Sequence, residues 1–143
     1  MPKSTTFSND IALLIFNATA IANLADNAAA SPATNLYLSL HTATPGIGGA
    51  QTTNETAYTN YVRIAVARTA GGWTVATGAA TNAALAQFAQ CGVTGATITH
   101  VAIGTASSGA GKVLYAGALA SSLAVSQLIQ PQFAIGALTA TES

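Results

Sequence analysis

Two histidines and one cysteine are the side chains of this chain best suited to catalysis or metal binding. His41 and His100 lie far apart in the sequence, and Cys91 is the single cysteine. The acidic residues are Asp10, Asp26, Glu55 and Glu142. A metal site takes three or four ligands, and these residues do not have the spacing of metal ligands. None of them lies near a histidine in the sequence, as the carboxylate that orients the histidine of a Ser–His–Asp arrangement would. We predict structural histidines, a buried cysteine, and a non-enzymatic chain without catalytic residues, metal or cofactor.

A glycine-rich segment is similar to the end of a phosphate-binding loop. Residues 107–112 read SSGAGK, and such loops hold phosphates with backbone N–H groups and a lysine. The first glycine of that motif would fall at Ala106, and Val113 stands where the motif needs Ser or Thr. The residues that follow favour a strand, whereas the motif opens a helix. We therefore predict a hairpin turn here.

Aromatic and cationic residues could form a surface for a sugar or a protein partner. Protein interfaces are enriched in Tyr, Trp and Arg, and these types recur between residues 58 and 73. The alternative is an exposed sheet face that is merely amphipathic. The candidate interface residues are Phe7, Tyr58, Tyr61, Arg63 and Trp73.

The chain has unusually few charged residues, which limits the classes of protein to which it can belong. Only eight of 143 residues are charged, four of each sign, while half of the chain is apolar. Soluble domains normally devote about a quarter of their residues to charged side chains, and a neutral surface promotes association. Scattered cations do not suit nucleic acid or an anionic membrane surface. We therefore predict an assembly component that binds neither nucleic acid nor membrane.

Periodicity predicts one helix followed by strands. Ser8–Asp10 offers N-cap side chains, and apolar residues then recur at helical spacing, which predicts a helix from about residue 9 to 19. Residues 83–90 could be either helix or strand. Alternating segments separated by turns predict strands at 35–42, 61–68, 73–77, 97–105, 113–119, 123–129 and 133–141. The fold class predicted is mainly β, an antiparallel jelly roll or β-sandwich of about eight strands with one N-terminal helix. Residues 1–143 would form a single domain, with an arm and helix over 1–34 and the sandwich over 35–143.

The ordered set of strand segments resembles a family of tailed-bacteriophage capsid cement proteins. The matching segments are NLYLSLHT at 35–42, ATPG at 43–46, YVRIAV at 61–66, TITHVAIG at 97–104, LYAGAL at 114–119 and FAIGAL at 133–138. The resemblance implies a homodimeric jelly-roll protein on the outside of the phage head, made in the host cytoplasm. It would clamp neighbouring major capsid protein subunits. The resemblance does not say which residues make the contacts; because residues 1–7 and 44–59 are long, polar segments, we expect them to be the contact segments.

Other functions stay open at this point. The first alternative is a tail- or fibre-associated virion protein that binds a host receptor or glycan. The second alternative is a small lyase or esterase that uses His41 or His100. The third is an unrelated sandwich module.

Overall fold

The structure is a computed structural model that describes residues 4–21 and 32–142. These residues contain one helix, α1 (Thr5–Asn17), and nine strands. The strands are β1 (Asn35–His41), β2 (Ile64–Ala67), β3 (Trp73–Ala76), β4 (Ala79–Asn82), β5 (Ala86–Gln87), β6 (Ala96–Gly104), β7 (Val113–Val125), β8 (Gln132–Phe133) and β9 (Thr139–Thr141). The prediction of a mainly β chain with one N-terminal helix is confirmed.

Helix α1 begins before the predicted start near residue 9. Ser4 is its N-cap, and the Ser4 hydroxyl accepts a hydrogen bond of 3.2 Å from the Phe7 amide. The predicted cap at Ser8–Asp10 is therefore wrong, because these residues lie inside the helix. Asn9 has another role: its side-chain oxygen accepts a hydrogen bond from the Gly78 amide.

One face of the helix is buried, and its end is sharply defined. Ala12 and Phe16 are each 1% exposed, and their spacing of four residues places them on the same face. The helix ends at Asn17, where Ala18 takes a left-handed backbone conformation (φ 54°) and donates its N–H to the Leu13 carbonyl. This is a common way to end a helix, although glycine usually occupies the position.

The chain divides into two compact units, each built from segments that are distant in sequence. The first unit comprises residues 1–35, 66–86 and 133–143, and the second comprises residues 36–65 and 87–132. Within the predicted arm and helix of residues 1–34, residues 1–3 and 22–31 lie outside the described residues. No helix among the described residues is long and apolar enough to cross a membrane.

The first unit contains α1 and a three-stranded antiparallel sheet of order β3-β4-β9. Strands β3 and β4 form a hairpin in which Trp73 is opposite Asn82. Thr77 and Gly78 form its turn, and both have positive φ (51° and 77°), as a two-residue turn of type I′ requires. Residues 69–72 also form a turn, in which the Gly72 and Trp73 amides donate to the Thr69 carbonyl, but β3 pairs with the strand that follows it.

A buried asparagine joins the segments of this unit. Asn82 is 1% exposed, and its side-chain amide donates to the Ala84 and Ala134 carbonyls at 2.8 Å each. Its side-chain oxygen accepts from the Leu138 amide at 2.9 Å. These bonds fix the loop between β8 and β9. That loop divides the predicted strand 133–141 into two short strands.

The second unit is built on a four-stranded sheet of order β2-β1-β6-β7. In β1, Leu38 and Leu40 are buried as the alternation predicts, but Ser39 and His41 are fully buried as well. Residues 105–112 join the antiparallel strands β6 and β7, so the predicted hairpin turn is confirmed.

Strand β7 merges two predicted strands, 113–119 and 123–129. Its register against β6 shifts between Ala118, which faces His100, and Leu123, which faces Ile98. The intervening residues of β7 therefore bulge opposite the single residue Thr99. Small residues such as Ser121 and Ser122 suggested a turn in the sequence, but the structure has a bulge within one strand.

Candidate functional site

Three of the five predicted interface residues are buried in the protein, and a fourth is half-buried. Trp73 is fully buried, Tyr58 is 2% exposed and Arg63 is 9% exposed, while Tyr61 is half-buried. Phe7 alone of the five is exposed, at 37%. The structure therefore does not bring them together as one exposed aromatic surface.

Tyr58 and Tyr61 belong to an aromatic cluster of the second unit. Tyr61 packs edge-on against Tyr58, with ring centroids 5.3 Å apart, and stacks on Phe88 at 6.3 Å. The Tyr58 hydroxyl donates to the Ala89 carbonyl at 2.8 Å, and burial raises the pKa of Tyr58 to about 12. Burial also raises the pKa of Tyr61. Both phenols therefore remain neutral donors at physiological pH.

Arg63 forms a buried ion pair with Glu55. Its Nε and Nη2 donate to the two carboxylate oxygens at 2.6 and 2.7 Å, and the Tyr61 hydroxyl donates to the same carboxylate at 2.9 Å. The hydrogen bond with Glu55 is the largest cause that raises the pKa of Arg63. A bidentate pair of this kind is stronger and more specific than a single hydrogen bond.

The same guanidinium also holds the turn between β6 and β7. Arg63 Nη1 donates to the Ala106 carbonyl at 2.9 Å, and Nη2 donates to the Gly109 carbonyl at 2.8 Å. Glu55 lies in the loop after β1, so Arg63 ties that loop to the turn. The residue that the sequence suggested as a surface contact instead positions two neighbouring loops.

Between these two loops lies a groove of about 750 Å³. We call it the loop groove. One wall is the loop after β1, and the other is the turn and the start of β7. The lining residues are Thr44, Gly46, Ile47, Gly48, Gly49, Ala50, Ala110, Gly111, Lys112, Val113, Leu114 and Ala116.

Gln51 connects the two walls of the loop groove through hydrogen bonds. It is fully buried, its backbone N–H donates to the Gly111 carbonyl at 2.8 Å, and its side-chain oxygen accepts from the Ala106 amide at 2.9 Å. A Cβ atom on Gly104 or Gly111 would collide with the Gln51 side chain. Glycine is therefore required at both positions if this glutamine is to lie between the walls.

The surface of the loop groove is small, polar in its backbone and almost uncharged. Lys112 is exposed and is the one charged residue among its described lining. Ile47 projects fully into solvent, and Thr44 contributes a hydroxyl. A lining of this kind offers one positive charge and several apolar contacts, since Val113, Leu114 and three alanines line the groove beside Ile47.

The two histidines face each other across β1 and β6. His41 is fully buried, with Nδ1 2.9 Å from the Thr53 carbonyl and Nε2 2.9 Å from the Ser39 hydroxyl. Because a carbonyl oxygen only accepts, we assign the proton of the neutral ring to Nδ1, and the serine hydroxyl donates to Nε2. Burial is the main cause that lowers the pKa of His41 below 6.5.

We expect stability to fall as the pH drops below the ordinary histidine pKa of 6.5, because the unfolded chain then binds a proton that folded His41 resists. Unfolding in urea between pH 7.5 and 4.5 would measure this slope. His41→Gln should flatten the slope, whereas His100→Gln should keep it. Equal slopes in the parent and His41→Gln proteins would show that another group causes the pH dependence.

The remaining predicted chemical residues also have structural contacts. Cys91 is buried and free, as predicted, and its Sγ lies 3.3 Å from the Thr94 carbonyl. The described residues hold no cluster of three or more His, Cys, Asp or Glu side chains suited to a metal ion. The sequence did not indicate the contacts of Glu55 and Gln51 or the position of Lys112 in the loop groove. Loop residues that meet across long sequence distances produce no periodic pattern in the sequence.

Comparison with known families shows what the chain is similar to. The model of the family described as Podophage GP4 fiber I protein gp80 matches residues 12–141. None of the curated proteins matches the chain.

This match corrects the resemblance drawn from the strand segments. The matching family is described as a phage fibre protein, so the assignment to the capsid cement family is wrong. Short alternating strands such as residues 35–42 and 97–104 occur in many β-rich proteins, and their order alone did not distinguish two kinds of phage structural protein. The predicted clamp on the major capsid protein loses its support with that assignment.

Proposed function

We propose that this chain, which belongs to the Podophage GP4 fiber I protein gp80 family, contacts a glycan on the host surface through the loop groove. Family membership supports a structural protein of the phage fibre, located in the virion. The single observation that carries the binding proposal is the loop groove itself, an open concave surface with polar backbone and one cation. The proposed action is binding alone, with no covalent step.

The chemistry of the loop groove suits a sugar more than a nucleic acid. Sugars have small apolar faces, which match the apolar side chains of Ile47, Val113 and Leu114 in the lining. A nucleic acid would need several cations, whereas Lys112 is the one charged residue in the described lining. Lys112 would donate hydrogen bonds to sugar hydroxyl or carboxylate oxygens.

The rigidity of the two walls also supports binding. Arg63 and Gln51 fix the loop after β1 and the turn before β7 with hydrogen bonds that are shielded from water. A ligand that enters a preformed site does not have to order the loops, and this lowers the entropic cost of binding. The positive φ of Gly46 and Gly48 (75° and 83°) shapes the outer wall.

Replacing Lys112 by Ala should weaken binding of host surface polysaccharide about ten- to a hundredfold, because a hydrogen bond from a charged donor contributes roughly 1.5–3 kcal/mol. Titration calorimetry with polysaccharide extracted from the host cell surface would measure the loss. Lys112→Arg keeps the charge and should keep most of the affinity. Both variants should unfold at the temperature of the parent protein, since Lys112 is exposed.

Two results would contradict the proposal. One is the absence of polysaccharide binding by the parent protein. The other is parent affinity in the Lys112→Ala protein, which would show that the sugar binds outside the loop groove.

A further inference from the structure

The charged side chains of the second unit leave one exposed charge, and it lies at the loop groove. Apart from two histidines, the ionisable groups of opposite sign in residues 36–65 and 87–132 are Glu55, Arg63 and Lys112. Arg63 and Glu55 neutralise each other, and their side chains are only 3% and 15% exposed. Lys112 is exposed and lines the loop groove. The second unit therefore presents a single positive charge at this surface.

The backbone of Lys112 is held in place between the two walls. Its amide donates to the Thr105 hydroxyl at 3.1 Å, and its carbonyl accepts from the Thr105 amide at 3.1 Å. Ala50, on the other wall, forms an isolated antiparallel bridge with Lys112. The bond from the Gln51 amide to the Gly111 carbonyl lies directly beside this bridge. The lysine side chain therefore begins at a fixed point of the groove.

The ammonium group of Lys112 has no partner in the part of the chain that the structure describes. No ion pair or hydrogen bond joins it to residues 4–21 or 32–142. The Glu55 carboxylate is occupied by Arg63 and Tyr61, and the described lining of the groove contains no acidic residue. The positive charge is therefore available to a ligand.

We propose that the loop groove selects acidic glycans, with Lys112 bound to an anionic group of the sugar, a carboxylate or a phosphate. This inference rests on the proposed function and specifies its ligand. A hydrogen bond between two charged groups is roughly twice as strong as a neutral one, so Lys112 gains more from an anionic oxygen than from a hydroxyl. A neutral sugar would leave the one charge of the groove without a counter-charge, because the rest of the described lining is uncharged.

Titration calorimetry with three preparations of host surface polysaccharide tests the proposal. One preparation is untreated, one has its carboxyl groups reduced to alcohols, and one has its phosphate groups removed. The parent protein should bind the untreated form at least about tenfold more tightly than one of the treated forms, and that form identifies the anion. Lys112→Gln keeps an N–H donor without the charge and should bind all three alike, whereas Lys112→Arg should keep the preference.

Salt provides a second measurement that needs no treatment of the sugar. Raising NaCl from about 0.1 M to 1 M shortens the Debye length from about 10 Å to 3 Å. This change should weaken binding of the untreated polysaccharide severalfold in the parent protein and leave the affinity of Lys112→Gln unchanged.

The outcomes separate this inference from the proposed function. Equal affinity of the parent protein for all three preparations would overturn the anionic ligand and leave sugar binding intact. A preference that persists in Lys112→Gln would also overturn it, since the anion would then bind elsewhere. Absence of binding to every preparation would overturn the proposed function and the inference with it.

Discussion

Glu55→Gln is expected to lower the free energy of unfolding by about 3–5 kcal/mol, the range found when one partner of a buried ion pair is removed. The Arg63 side chain is 3% exposed and the Glu55 side chain 15%, so little water is available to replace the carboxylate. The glutamine has one acceptor oxygen where Arg63 and Tyr61 direct three hydrogen bonds. Urea denaturation followed by tryptophan fluorescence would measure the shift in midpoint.

The loss should come from burial and not from the change in net charge. Lys112→Gln removes an exposed charge, so it should move the free energy of unfolding by less than about 1 kcal/mol. If Glu55→Gln were as stable as Lys112→Gln, the ion pair would be dispensable for the two loops that it joins. The account of the loop groove as a preformed surface would then fail.

Trp73→Ala should destabilise the protein by about 3–5 kcal/mol, the usual effect of deleting a large aromatic side chain from a core. Trp73 is fully buried, and its ring packs edge-on against Phe16 of α1 with centroids 4.8 Å apart. The substitution removes this contact and leaves a cavity between the helix and β3. Calorimetric unfolding would measure the change without relying on tryptophan fluorescence.

Phe7→Ala is the comparison, because Phe7 lies on the same helix and is 37% exposed. It should lower the free energy of unfolding by less than about 1 kcal/mol. A Trp73→Ala protein with parent stability would show that Trp73 does not act as a core residue. The prediction that Trp73 belongs to an interface would then have to be considered again.

Regular elements could be predicted from the sequence because they repeat locally. The alternation of Leu36, Leu38 and Leu40 predicted β1, and the apolar spacing over Ile11–Ile15 predicted the helix. The element ends were less predictable. Ser4, Ser8, Asn9 and Asp10 are all suitable N-caps, and the bond from Gly78 to Asn9 depends on tertiary structure.

The burial of the predicted interface residues depends on contacts between distant parts of the chain, which local sequence patterns do not contain. Alternation through residues 61–68 assigned Tyr61 and Arg63 to an outward face, but β2 begins only at Ile64, so both residues lie outside the regular strand. A buried arginine also needs a partner, and Glu55 is in a loop whose path the sequence did not predict. The loop groove was missed for the same reason, since its walls meet only in the folded chain.

Gold-labelled antibody against this chain, applied to intact phage particles, tests the central claim most directly. Membership of the fibre family predicts label on the fibres and none on the heads, and preincubation with host surface polysaccharide should leave this location unchanged. Label spread over the head lattice, with bare fibres, would contradict the fibre assignment and remove the basis for sugar binding by the loop groove.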